Sequence, residues 1–339
     1  MSDVAMTVPV VYSLATQYPD LRITVLSSPY ARAFFDSLAP NVGFMAADLK
    51  GEYHGMKGLN ALYRRLLAKN FTAIADFHSV LRTGYLRMRF NLDRYKVAHI
   101  DKHRAGRRDL VSRHIMVQQP SAFQNYADVL AQLGYPVRLD FISLFPERGG
   151  DLRLLPPEIG MKKTFQTWIG IAPFAQYRGK AYPVELMERV MQGLMHLHPS
   201  CRVFLFGGGG EENTLMQAWE NLYGCCVNAS GTIGSLRGEL ILMSHLDLMV
   251  SMDSAYMHLA SLTDTPVVSV WGATHPYAGF TGWRQDDSGI VQENISCRPC
   301  SINGRKRCFF GDYHCLSDIT PEMIIDCAEK VLQDNVERM

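Results

Sequence analysis

The 339-residue sequence contains no uninterrupted apolar run of the roughly 18 residues that a membrane-spanning helix requires, which excludes an integral helical membrane protein. Its first residues lack the basic segment that opens a secretory signal peptide. A cytosolic setting is therefore expected, with the eight cysteines mostly reduced. Net charge is nearly absent, at +1 from 34 Lys+Arg and 33 Asp+Glu, and no nucleic-acid recognition motif accompanies it, so nucleic acid is not an expected partner. The dinucleotide fingerprint G-x-G-x-x-G is lacking as well. After Gly207 and Gly209 it would need a third glycine where the chain has Glu212.

What is present is ordinary in amount and uneven in placement. With 47% apolar and 20% charged residues the chain reads as a soluble α/β protein, and its length favours two domains over one core. Residues 1–155 carry 20 Lys/Arg against 13 Asp/Glu, a balance of +7, and the remainder carries 14 against 20, a balance of −6. Much of the excess lies in residues 82–113, with ten basic and three acidic side chains. Such a run is most simply a solvated face. Its functional reading is attraction to an anionic acceptor or membrane surface, with Arg82, Arg87 and Arg104 as the acceptor-binding candidates.

Apolar strand-like runs alternate with helical ones in both halves. In the first half, strands are expected at residues 22–28, 42–44, 73–77 and 97–100, and helices near 10–18, 30–38, 59–69, 79–90 and 122–132. Residues 146–164, with Gly149-Gly150 and Pro156-Pro157, read as a linker. The alternation then restarts, with strands at 168–172, 201–206 and 225–228 and helices at 183–197, 212–221 and 236–244. A last helix begins at Thr320-Pro321 and runs to about Asp334. Repeated strand–helix alternation implies parallel, doubly wound sheets. The expected organisation is a domain over 1–155, a second over 156–319, and a C-terminal helix over 320–339.

Four stretches carry chemistry. Residues 246–272 (LDLMVSMDSAYMHLASLTDTPVVSVWG) read as strand, turn, helix and strand, the second strand covering 267–271. Asp253 and Ser254 stand where a helix N-cap belongs, and Ala255 opens the helix. Helix starts at the carboxyl ends of parallel strands favour phosphate, and His258 is about one and a half turns along from Asp253. An ordinary capped helix with a core histidine accounts for the pattern equally well. Residues 171–183 follow the second half's first strand, and Lys180 there could set a point charge beside a diphosphate. The four glycines at 207–210 form either a plain flexible turn or one that lets a nucleotide approach the backbone, with Glu211 or Glu212 bonding a ribose or base. Finally, Cys297, Cys300, Cys308 and Cys315 fall within 19 residues. In a reduced compartment that density suggests a structural zinc site, closed by four thiolates.

Taken together and in order, these pieces resemble the glycosyltransferase family that contains the ADP-heptose:lipopolysaccharide heptosyltransferases. The shared points are SDVAMTVPVVYSLATQYPDLRIT, IADFHSVLRT, PFAQYRGKAYP, FLFGGGGEE, the D-S-A-x-x-H stretch with PVVSVWGAT, and the cysteine-rich loop. The resemblance implies a GT-B fold, two Rossmann-like domains facing across a cleft. The acceptor would bind the N-terminal domain, and an ADP-heptose-like donor the C-terminal one. It implies inverting transfer to a lipopolysaccharide-core-type acceptor with no catalytic metal, in the cytoplasm or at the inner face of the inner membrane. By position, Asp3 matches the family's general base, Lys180 its diphosphate lysine, and Asp253, Ser254, Ala255 and His258 its donor motif. Three departures stand out. Ser2 replaces the family's glycine, and Ala175 and Gln176 replace hydroxyl residues found near the phosphates in some members. The family's first strand precedes the acidic motif, whereas here the sequence begins at that motif, so either the start codon lies upstream or this form lacks a central strand of its first sheet. A nucleotide-sugar epimerase of similar architecture and a non-catalytic sugar-nucleotide-binding protein are the alternative readings.

Overall fold

The computed structural model of the chain describes residues 1–147 and 149–338, with side chains through Asn335. The chain divides into two compact units, one formed by residues 1–104 with 120–141, the other by 105–119 with 142–339. Among the described residues no helix is long and apolar enough to cross a membrane.

The second unit is built on a six-stranded sheet in which every paired neighbour runs parallel. In chain order, with the first unit's four strands counted first, its strands are β5 (Trp168–Ala172), β6 (Arg202–Leu205), β7 (Cys226–Asn228), β8 (Leu248–Met252), β9 (Val267–Trp271) and β10 (Ile290–Gln292). Every residue of β5, β8 and β9 is buried, which is why these strands read as unbroken apolar runs. The spatial order is β10-β9-β8-β5-β6-β7. The chain starts in the middle at β5, moves outward through β6 and β7, then returns to the other side of β5 with β8. The order reverses between β5 and β8, and ligands of open parallel sheets bind at the carboxyl ends of the strands at such a reversal.

Helices cover this sheet. The helix Val184–Leu197 turns Met187, Val190, Met191 and Leu194 inward, an i, i+3, i+4, i+7 stripe wholly buried in the core. The C-terminal helix, Pro321–Arg338, packs beside it, with Ile324 and Ala328 fully buried in the same core. Three of the elements not foreseen from sequence bear on the fold. The strand β10 has three residues, too few to show a period. The helix Ala229–Ile233 has five. The helix Arg104–Ser112 lies within the basic run, where Arg107 is buried, donates to the Ala278 carbonyl and stacks on the Phe280 ring.

The first unit carries β1 (Ile23–Ser27), β2 (Val42–Ala46), β3 (Ala73–Asp76) and β4 (Lys96–His99). Its main helices are α1 (Ser2–Ala5), α2 (Val8–Gln17), α3 (Arg32–Phe35), α4 (Gly55–Leu67), α5 (Leu81–Leu92) and, beyond the basic helix just described (α6), α7 (Ala122–Gln132). A doubly wound parallel sheet without the family's first strand was expected here, and the strands form two parallel pairs, β1 with β2 and β3 with β4. Within β1 and β3 only Asp76 is buried, Thr24 and Ala75 are exposed, and the other residues are half-buried. That is unlike the fully buried central strands of the other unit.

Candidate active site

Four loops leave the carboxyl ends of the second unit's central strands. Residues 173–180 follow β5, residues 207–210 follow β6, Asp253-Ser254 follow β8, and Gly272 to Thr274 follow β9. The loops after β5 and β8 flank the order reversal, and there Lys180 Nζ lies 2.9 Å from Asp253 Oδ2. Asp253 is 4% exposed and accepts a second bond from Thr274 Oγ1, at 2.7 Å. The sequence pattern placed Asp253 with Ser254 at the helix cap. The cap is Ser254 alone, and the Asp253 carboxylate turns away to hold the ammonium. Thr274 gave no sequence signal, since its role depends on a partner 21 positions away.

The helix opened by Ala255 (Ala255–Ser261) carries His258 in its second turn. Burial, with Lys180 beside it, pushes the His258 imidazole down to about 3. It is therefore neutral at physiological pH and acts as a polar group without charge. Its Nδ1 has no hydrogen-bond partner among the described residues, an arrangement that costs on the order of 1–3 kcal/mol when left unmet.

The glycine turn is tied to the same helix. Tyr256 Oη donates to the Gly207 carbonyl at 2.9 Å, and Gly207 N donates to Ser230 Oγ at 3.1 Å. Ser230 in turn donates to Glu239 Oε1 at 2.5 Å. Glu212 closes back on its own turn by accepting from Gly208 N at 2.6 Å, whereas Glu211 is exposed at the start of its helix. Gly210 sits at φ +67°, ψ −129°, a conformation open to glycine only. Burial raises the Glu239 carboxyl to about 7. A raised folded pKa means that the native state holds a proton the unfolded chain has released. Glu239 therefore stabilises fully below about pH 4.5, and that contribution is lost as pH rises through about 7. We expect Glu239→Gln to flatten the stability profile between these limits and to gain on the order of 1–3 kcal/mol at pH 8. Chemical denaturation at pH 5 and pH 8 checks this, and an unchanged profile contradicts it.

The cysteine-rich loop bears on the site by packing. Cys300 N and Ser301 N both donate to the Ala273 carbonyl at 3.1 Å. Arg305 Nε donates to Tyr177 Oη at 2.7 Å, and Arg178 stacks on Tyr313. Arg298 is 6% exposed and donates to the carbonyls of Gly272, Thr274 and Glu293. Gly304 lies against the lysine stem, since a Cβ built on it would come 2.6 Å from Lys180 Cγ, and its φ is +77°. Gly304→Ala is thus expected to displace Lys180 and to lower stability by about 1–3 kcal/mol, the usual cost of such crowding. Chemical denaturation measures it, and an unchanged midpoint would show that the loop does not pack on the lysine.

The four cysteines are free thiols that lie within electrostatic reach of one another, and among the described residues no group of three or more His, Cys, Asp or Glu side chains is placed to hold a metal ion. Cys297 Sγ lies 3.7 Å from His314 Nε2, the other ring nitrogen of His314 bonds Asp312, and burial pushes the Cys315 thiol up to about 12.

In the first unit, Asp3 stands in the first turn of α1 and is exposed, with Tyr126 Oη donating to its carbonyl at 3.3 Å. Its charge raises Tyr30, whose larger cause is burial, and opposes the burial that lowers His78. Of the acceptor candidates, Arg82 and Arg104 are exposed, and Arg87 Nε pairs with Asp76 Oδ2 at 3.2 Å.

Comparison with known proteins bears on these arrangements. The sequence matches the family described as "Glycosyltransferase family 9 (heptosyltransferase)" over residues 59–313. A curated relative from Haemophilus influenzae, lipooligosaccharide heptosyltransferase 2, is 25% identical over 98% of this chain and 96% of its own. Matches to two Campylobacter jejuni proteins of the same name span only 27% and 51% of their lengths. Among solved structures, a glycosyl transferase family 9 protein of Veillonella parvula aligns with TM-score 0.73 at 21% identity, covering 98% of this chain and 95% of that one. Escherichia coli heptosyltransferase WaaC with ADP-2-deoxy-2-fluoro heptose aligns with TM-score 0.64 at 16% identity, covering 99% and 96%.

Proposed function

Because the chain belongs to glycosyltransferase family 9 (heptosyltransferase), we propose that it moves a heptose or related sugar from an ADP-activated donor to a lipopolysaccharide-core-type acceptor. The observation that carries this reading is the ammonium of Lys180, held by buried Asp253 at the order reversal of the second unit's sheet. A nucleoside diphosphate leaving group gains negative charge as its bond to the sugar breaks, and a fixed cation there lowers the barrier.

The step we assign is a single displacement with inversion. The acceptor oxygen bonds the anomeric carbon, the carbon–oxygen bond to the diphosphate breaks, and the acceptor proton passes to the Asp3 carboxylate. Lys180 and the backbone N–H groups of Ser254 and Ala255 receive the diphosphate. Asp253 and Thr274 position Lys180 rather than touch the sugar. Neutral His258 offers its unpartnered nitrogen to the donor. On this reading the lysine supplies the charge a divalent cation supplies elsewhere, so no metal takes part. A lipid-linked acceptor also suits the basic balance of residues 1–155, which would favour contact with an anionic membrane surface.

Calorimetric titration with nucleoside diphosphates in the presence of a chelator tests the donor side. ADP is expected to bind without added metal, and more tightly than UDP or GDP. Binding that requires magnesium, or that prefers UDP, would overturn the donor assignment.

A further inference from the structure

Two adjacent phenylalanines at the tip of the cysteine-rich loop face solvent, Phe309 at 92% exposure and Phe310 at 60%. A lone exposed apolar side chain is ordinary on a protein surface. Here the two rings meet edge to face at 5.3 Å and form one continuous apolar knob. Arg305, Lys306 and Arg307 stand just before them and are exposed as well. Residues 303–311 (NGRKRCFFG) hold these three cations and no acidic residue.

The base of this knob is fixed. Arg305 Nε donates to Tyr177 Oη at 2.7 Å, and its guanidinium lies over the same ring, 5.0 Å from the centroid. Arg178 lies over Tyr313 at 5.2 Å, and Phe310 meets the His314 ring at 5.3 Å. Lys306 N donates to Ser301 Oγ at 3.4 Å. Gly304 and Gly311, at φ +77° and +84°, turn the chain on either side of the segment. A tip ordered in advance loses less entropy on docking than a flexible loop does. Tyr177 and Arg178 adjoin Lys180, and Gly304 lies against its stem, so the tip and that lysine share one support.

We infer that this tip docks on an anionic lipid surface, with the rings of Phe309 and Phe310 entering the headgroup boundary and Arg305, Lys306 and Arg307 lying against the phosphates. An apolar contact joined to basic residues supplies the two signals that membrane binding without a spanning helix requires. A single-stranded nucleic acid would use exposed rings as stacking platforms. The two ring planes stand 87° apart, so successive bases could not stack on both. The surface is also distinct from the basic run at 82–113, which exposes cations but no aromatic ring. The inference goes beyond the reaction proposed above and does not depend on it.

Flotation with lipid vesicles tests it. Vesicles of phosphatidylcholine alone are set beside vesicles with about one quarter phosphatidylglycerol, at about 0.1 M and about 1 M salt. Four proteins are compared: the parent, Phe309→Ser with Phe310→Ser, Lys306→Gln with Arg307→Gln, and Arg94→Gln with Arg108→Gln. The last pair removes two exposed cations from the basic run instead of the loop. All four should share one unfolding midpoint, since every replaced side chain is exposed. If one loop variant fails to fold, the other carries the comparison.

The parent is expected to float with anionic vesicles at low salt and to leave them as salt rises. The serine variant should bind about tenfold more weakly, because it buries less apolar area in the interface. The loop glutamine variant should bind about tenfold more weakly at low salt and match the parent at high salt. The Arg94 and Arg108 variant should lose less than either. Amide exchange across residues 305–311 should slow when anionic vesicles are added to the parent. Equal flotation of the parent and both loop variants overturns the inference, as does a parent that does not float. A larger loss in the Arg94 and Arg108 variant overturns it too, by assigning the contact to the basic run. So does a parent dimer, seen by light scattering, that the serine variant abolishes, for then a second copy covers the rings. Capture by a single-stranded oligonucleotide but not by vesicles is the last contrary result. No nucleotide or acceptor enters these measurements, so the donor reading stands or falls separately.

Discussion

Replacing Lys180 with methionine is expected to lower turnover about 10²–10³-fold, the usual effect of removing one preorganised donor to a developing anion. Methionine keeps an unbranched stem against Gly304, so the loss reports charge rather than packing. The folded state should persist at a cost of about 3–5 kcal/mol, because buried Asp253 loses its cation and, among the described residues, retains the Thr274 bond. Asp253→Asn should lower turnover by a smaller factor, since the ammonium remains and only its anchor changes. The double variant should be little worse than Lys180→Met alone, as coupled groups do not add. Steady-state rates and denaturation curves on the four proteins test this. Turnover within threefold of the parent in Lys180→Met removes the lysine from the mechanism.

Asp3→Asn is expected to lower kcat by about 10²–10⁴-fold while leaving ADP affinity unchanged, since general base catalysis supplies that range and Asp3 belongs to the other unit from the donor residues. Stability should hardly move, because Asp3 is exposed and a first-turn carboxylate on a helix contributes only about 0.3–1 kcal/mol. Kinetics read beside ADP titration separate the two effects. A variant that loses ADP affinity with kcat intact would make Asp3 a binding residue and leave the base unassigned.

The second unit was legible in the sequence where burial is complete. Strands β5 and β9 have the bounds read from their apolar runs, because a strand buried on both faces tolerates little that is polar within it. Lys180, Asp253 and His258 were legible as a set, and the structure brings Lys180 against Asp253 and within electrostatic reach of His258. What escaped was everything fixed by distant partners. Thr274 holds Asp253, Gly304 crowds Lys180, and Arg298 stitches three carbonyls around the site, none of them announced by local pattern. Arg107 misled for the same reason. Within a basic run it reads as surface, yet it is buried on Phe280, which lies 173 positions along the chain. In the first unit, alternation predicted the four strands, which the structure arranges as two parallel pairs.

The central claim is metal-independent transfer of a sugar from an ADP-linked donor to an acceptor hydroxyl. Its most direct test is ADP release from ADP-heptose, followed in chelator with and without a heptose-accepting lipopolysaccharide core. The account predicts ADP release only when the acceptor is present, with one sugar added to it in the inverted configuration and the rate collapsing in Lys180→Met and Asp3→Asn. Release at the same rate without acceptor, or full rates in both variants, would contradict it.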